Sequence, residues 1–485
     1  MKYKLVRNML GQPNDTADQN MSNTLEDASI KQLKKVANHV DDVLFKNIPT
    51  IEGVVTVIYS TSLVEKMTMQ SMVFIPLANY INQIHQIGEP IKLTNIKKII
   101  NTLNSGQTLL YFHETKTLLH IDTFSAPGRA ITNTETESTV IGPQDAFSES
   151  LETNISLIRR RIKNPQLKNE NRTIGNEVAV KITIMYMDNI VNKEYLSRLK
   201  KRLNEIHFPS FKDISELKQL IEDNPYSPFP QYYMTVRPDK INNSLIDGRI
   251  IILMDNSQAA IVCPSTFFEM FTTVEDYYNR WTTASLLRFL RFFGFFLTII
   301  ITPTYISALT FHPEVLPYEL LLNLQESRSK VPFSPLFEVL FIELIIEVLR
   351  EAGSRLPTKV GQTIGIVGGI VIGTAAVQAG LFSNILIVLV ATSALLSFLS
   401  PIFLMSNASR FIRYIFILSA GLLGLYGQML AFAWLVSHLL RLQSLGTAYM
   451  APVIPRKATD LMDSIIRFPI AFLKSKSGIS KAQKK

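Results

Sequence analysis

The stretch VGQTIGIVGGIVIGTAAVQAGLFSNILIVLVATSALLSFLSPIFLMSNAS, Val360 to Ser409, contains no Asp, Glu, Lys or Arg. A bilayer core of roughly 30 Å takes about 20 apolar helical residues. At a rise of about 1.5 Å per residue this run is too long for one crossing. It reads as a helical hairpin, 361–380 and 384–405, turning near Gly380–Asn384. Working outward, 289–311 (FLRFFGFFLTIIITPTYISALTF) is a further span with Arg288 and Arg291 at its mouth, and 414–440 is the last, after Arg410 and Arg413. The 485-residue chain is also too long for one core. Before Leu286 it is mixed and charge-rich. The fold class read from this asymmetry is a soluble α/β N-terminal region of two subdomains followed by an all-α polytopic membrane domain. The divisions are a polar arm over 1–50, subdomains over 51–170 and 171–285, a membrane domain over 286–440 and a basic tail over 441–485.

The α/β signals are periodic. VVTVIY (54–59) and EVAVKITIMYM (177–187) read as strands. The runs 107–113 and 117–123, around Glu114-Thr115-Lys116, read as a hairpin, as do 249–254 and 259–263 around Asp255-Asn256-Ser257. Helical spacing covers 95–103, 145–161, 193–206 and 214–221.

The net charge of +9 raises nucleic acid as a partner. Much of the excess lies in the tail, where Arg441, Arg456, Lys457, Arg467, Lys474, Lys476, Lys481, Lys484 and Lys485 face only Asp460 and Asp463. Basic residues directly after a span mark a cytoplasmic flank beside anionic lipid, so the partner read here is membrane lipid and not nucleic acid. No apolar run follows Lys2, Lys4 and Arg7, so no cleavable signal is expected and the N-terminal half is read as cytoplasmic. Cys263, the single cysteine, excludes an internal disulfide. The seven histidines lack metal-ligand spacing, and phosphate loops and nucleophile elbows are missing. No catalytic residue, metal site or cofactor is expected, and the chain is not read as an enzyme.

Two features could carry function. Gly361, Gly365, Gly369 and Gly373 form a ridge at four-residue spacing, which permits close helix contact in lipid. That contact could lie within one subunit or between copies around an axis, or the ridge could form a pore wall. The second feature is PFSPLFEVLFIELIIEVLREAG (332–353), apolar but holding Glu338, Glu343 and Glu347. Acids at mid-membrane are expensive, so the segment is read as an interfacial or re-entrant helix. Four spans then leave both chain ends inside and Arg410 and Arg413 outside, whereas a spanning segment would make five. Glu343 and Glu347 share a helix face one turn apart, near Arg350. Either Arg350 pairs with Glu347 in the interface, or an oligomer repeats Glu343 and Glu347 as acidic rings that attract cations.

Several long stretches resemble the A subunits of GerA-type nutrient germinant receptors of endospore-forming bacteria. The most specific are GPQDAFSESLETNISLIRRRIKNPQL (142–167), SPFPQ (227–231), RPDKINNSLIDGRI (237–250), TFFEMFTTVEDYYNRW (266–281), the run from Pro332 to Leu381, and GTAYMAPVIPRKATDLMDSIIRFP (446–469). The resemblance covers about residues 107–472 and leaves 1–50 without a family pattern. It implies a protein of the spore inner membrane with a two-subdomain core-facing region. Its partners would be a transporter-like B subunit, which binds the nutrient, and a lipoprotein C subunit. Self-association would form a nutrient-gated channel for monovalent cations; the other reading is a non-conducting scaffold that assembles B and C.

Overall fold

The computed structural model describes residues 40–93, 96–124, 137, 139–355, 369, 371–455, 461 and 463–472. The described residues of Met1–Ala130, Leu151–Arg172 and Thr183–Asp188 form one compact unit, and those of Ile131–Ser150, Thr173–Ile182 and Asn189–Lys485 another.

The first sheet consists of β1 (Val43–Thr50), β2 (Gly53–Ser60), β3 (Glu89–Ile91), β4 (Gln107–Phe112) and β5 (Thr117–Asp122), in the order β1-β2-β4-β5-β3. All four pairings are antiparallel. Alternate side chains of a strand face opposite ways, and here both faces are covered. Val55, Val57, Leu110 and Phe112 pack on Met69, Val73, Leu77 and Ile84 from the helical turns after β2. On the other face Ile58, Leu109 and Tyr111 pack on Ile99 of α1 (Ile96–Asn104). Double coverage explains the unbroken apolar run in β2. β1 starts inside the stretch read as a polar arm; most of its side chains are exposed or half-buried, so its sequence carries no apolar alternation.

Then follow α2 (Leu151–Arg161), β6 (Leu167–Ile174), β7 (Val180–Met187), α3 (Lys193–Glu205), α4 (Ile214–Ile221), β8 (Tyr233–Thr235), α5 (Pro238–Ile246), β9 (Ile250–Met254) and β10 (Ala260–Cys263). The second sheet runs β6-β7-β9-β10-β8. Both expected hairpins form, with Lys116 and Asn256 at positive φ in their turns. The α/β N-terminal region and the helical C-terminal part stand as read.

The helical part comprises α6 (Trp281–Thr310), α7 (Tyr318–Arg328), α8 (Pro335–Arg355), α9 (Asn384–Ser397) and α10 (Phe403–Arg441). Among the described residues, α6 and α10 are long and apolar enough to cross a membrane, and α9 is a shorter apolar helix. Two boundaries differ from the sequence reading. The span read as 384–405 ends at Ser397, because Pro401 has no N–H and disfavours helical geometry in the residue before it. The span read as 414–440 belongs to a helix that begins at Phe403 and reverses at Gly424 (φ 64°, ψ −143°).

The reversal follows from what each arm touches. Before the turn, the Arg413 guanidinium donates to Ser393 Oγ at 2.7 Å, and Ser393 donates to the Thr298 carbonyl of α6. After it, Gln428 Nε2 donates to the Ile300 carbonyl at 3.2 Å and to Thr304 Oγ1 at 2.9 Å. Both arms therefore lie along the middle of α6, each roughly 25–30 Å long. A Cβ on Gly424 would lie 2.8 Å from Phe311 Cβ, and the φ/ψ pair is one that only glycine adopts without strain. Gly424→Ala is expected to cost about 1–3 kcal/mol and to lower the unfolding midpoint of the purified chain in detergent; an unchanged midpoint would remove the turn from the account.

Candidate functional site: a charged seam inside an apolar helix bundle

α8 is a continuous helix whose apolar residues Val339 and Ile342 are buried among Tyr305, Ile306, Leu386, Val390, Ile417 and Ala420. Its acids face inward with them. Glu338 and Glu343 are fully buried, and Glu347 is about a third exposed (37%).

Each acid meets a guanidinium. Glu338 Oε1 accepts from the Ser383 backbone N–H at 2.7 Å, and Oε2 accepts from Arg328 Nε at 3.2 Å. Tyr305 reaches Ser383 Oγ at 3.1 Å. Glu343 Oε2 lies 2.8 Å from an Arg413 nitrogen, with both residues buried. Glu347 contacts Arg410 and lies 3.7 Å from Arg350. Arg350 also donates to Ser397 Oγ at 3.3 Å and stands over the Phe398 ring. Two carboxylates one turn apart on α8 thus face two guanidiniums one turn apart on α10.

Charges in such surroundings must be neutralised in place, since removing one partner of a buried pair costs about 3–5 kcal/mol. Pairing explains how an acid-bearing helix packs inside an apolar bundle. The sequence reading had placed Arg410 and Arg413 outside as a closing flank; here they are the partners of Glu347 and Glu343. The signal was present, because Arg at i and i+3 in an apolar run complements Glu at i and i+4 in another. The expected Arg350–Glu347 contact is present at longer range.

Of the glycine ridge, Gly361 and Gly365 lie outside the described residues. A Cβ on Gly369 or Gly373 would meet nothing within 4 Å, and Gly373 sits in the π-helical turn Val371–Ala375. By contrast, Gly421 on α10 is filled by Leu336 of α8, whose side-chain atoms lie 2.6–3.0 Å from where a Cβ would stand. The α8 contact thus uses Gly421, one of three glycines at three-residue spacing on α10 with Gly424 and Gly427.

A second charged group stands at the start of α6. Asp276 accepts from Arg288 at 3.2 Å and from Arg291 at 2.5 Å, and the Arg288 guanidinium also bonds Asp463 at 2.8 Å. Arg467, buried though it belongs to the basic tail, donates to the Asp276 and Asn279 carbonyls that end the turn Glu275–Tyr278. Beside them Phe229, Phe267, Phe271, Phe292 and Phe295 pack ring to ring. Beyond the end of α10 the hairpin β11 (Gln443–Ser444) and β12 (Thr447–Ala448) bonds the region before β8: Ser444 Oγ donates to the Gln231 carbonyl and Tyr449 OH to the Pro230 carbonyl. Both the first helix and the last are thereby fixed to the α/β part. No group of three metal-ligating side chains occurs among the described residues.

Residues 31–479 match the family described as Bacillus/Clostridium GerA spore germination protein. The chain belongs to that family. It is 44% identical to spore germination protein GerQA of Bacillus cereus over 81% of this chain and 80% of that protein. To spore germination protein A1 of Bacillus subtilis it is 41% identical over 77% of this chain and 78% of that protein, and to spore germination protein KA of the same species 35% over 91% and 84%. A looser likeness, TM-score 0.36 at 23% identity, links 49% of this chain to 94% of the solved N-terminal domain of the A subunit of the Bacillus megaterium spore germinant receptor GerK3. The GerA relatives and the apolar helices together assign this chain to spore germination and to the membrane.

The Asp276 group gives a pH-dependent expectation. Burial pushes its carboxyl up, but Arg291 and Arg288 outweigh burial and hold it below the ordinary 3.8. A lowered carboxyl contributes stability above its unfolded value, lost as pH falls through the folded one. Asp276→Asn should therefore lower the unfolding midpoint at pH 7, and the gap to the parent chain should close below about pH 3.8; a gap unchanged at acid pH would remove the ionic role.

Proposed function

We propose that this GerA-family chain is the membrane subunit of a nutrient germinant receptor and that copies of it assemble into a nutrient-gated cation channel. In this reading it works with a transporter-like B subunit, which selects the nutrient, and a lipoprotein C subunit, in the spore inner membrane. The observation that carries self-association is the open face of Gly369 and Gly373. Backbone without side chains at these two positions, unfilled by the described residues, suits close contact with a second copy or exposed backbone along a conduit. The sequence reading of four spans also shifts. α6, α8, α9 and the two arms of α10 run alongside one another. The α/β region and the tail then lie on the core side.

Of the two acids read as a cation path, Glu347 suits it better. It is partly exposed, whereas Glu343 is enclosed beside Arg413. That enclosure favours a second reading, in which the bundle is a non-conducting scaffold that passes on a change of shape. Reconstitution separates them. Purified assemblies in liposomes are expected to release potassium or sodium, and Glu347→Gln to reduce that flux several-fold at equal assembly. Sealed liposomes with intact assemblies would favour the scaffold.

A further inference from the structure

The three acids of α8 are unequally held. Both oxygens of Glu338 receive aligned donors, from the Ser383 N–H and from Arg328. Glu343 is as deeply buried, with an Arg413 nitrogen 2.8 Å from Oε2 and Thr302 beside it, but it lacks the two aligned donors that Glu338 has. Arg413 Nε is likewise buried without an aligned partner. A buried ion pair holds well only when its remaining lone pairs and protons are satisfied. One end of α8 is thus pinned while its middle is held by a close but under-bonded pair.

We propose that Arg413 is a positioning residue, and that its pairing with Glu343 is a latch holding the C-terminal half of α8 against α10 until the receptor is activated. The Glu338 end serves as pivot, and release frees the C-terminal half of α8 from α10. This rests on the receptor reading but not on conduction: a shape change passed to a scaffold would use the same latch.

The test uses spores carrying the complete receptor with this chain altered, scored for germination without nutrient at matched receptor abundance. Arg413→Met and Arg413→Gln are expected to raise nutrient-free germination by at least about tenfold, because losing the pair shifts the closed–open balance. Arg413→Lys, which keeps the charge, should stay near the parent. Spin labels at Val348 and Leu418, both exposed, should show a longer and broader distance distribution in the Gln chain than in the parent. Labelling needs no change at Cys263, which is buried and whose thiol is pushed up to about 12 by burial. Parent-level germination and distances in both neutral variants would overturn the latch, as would a Lys variant as leaky as Met. If the Met chain does not accumulate, the Gln chain and the distances decide. Leaky variants in a receptor that passes no ions would keep the latch and remove the channel; flux with parent-like variants would do the reverse.

Discussion

A carboxylate and a guanidinium inside an apolar bundle each need the other, and the packing of the helical part depends on that need being met at Glu343 and Arg413. Without the first arm of α10 beside it, Glu343 would stand among apolar groups with no counter-charge and Glu347 would keep only Arg350. The turn at Gly424 places both arms of α10 along α6 and leaves Arg410 and Arg413 facing α8. Leu336 in the notch of Gly421 sets the same contact sterically.

The α/β part is joined to this bundle through the ends of two helices. Asp276 draws Arg288 and Arg291 at the start of α6, and the tail closes over them with Asp463 and Arg467. The hairpin after α10 bonds carbonyls before β8. A disturbance of residues 223–279 therefore has two mechanical outlets, α6 and the second arm of α10, both lying against the helices that hold the charged seam. A subunit that turns nutrient binding by a partner into a membrane event has use for such a linkage.

Much of this was legible in the residues. Strands covered on both faces, such as β2 and β9, announced themselves as apolar runs, and α3 and α4 by spacing; the structure adds their caps, Asn192 and Asp213. β6 was hidden, because LKNENRTI reads as a loop. Its polar side chains are buried in pairs, Asn169 with Arg159 at 2.8 Å and Glu170 with Tyr186 at 2.5 Å, which no local pattern reveals. The acids of α8 were found, with Arg350, but Arg410 and Arg413 were not recognised as partners, since those pairs span some 60–70 positions. Arg467 looked like lipid-facing charge because composition cannot distinguish a solvated arginine from one that caps a buried helical turn.

The path of α10 is the claim on which the placement of both its arms along α6 rests. Single cysteines at Phe403, Tyr426 and Arg441, all exposed, can be tested with a membrane-impermeant thiol reagent in sealed vesicles of known orientation. The account predicts that Tyr426 reacts from one side and that Phe403 and Arg441 both react from the other. Phe403 and Arg441 reacting from opposite sides would mean an unbroken rod, and the reversal at Gly424 would fall with it.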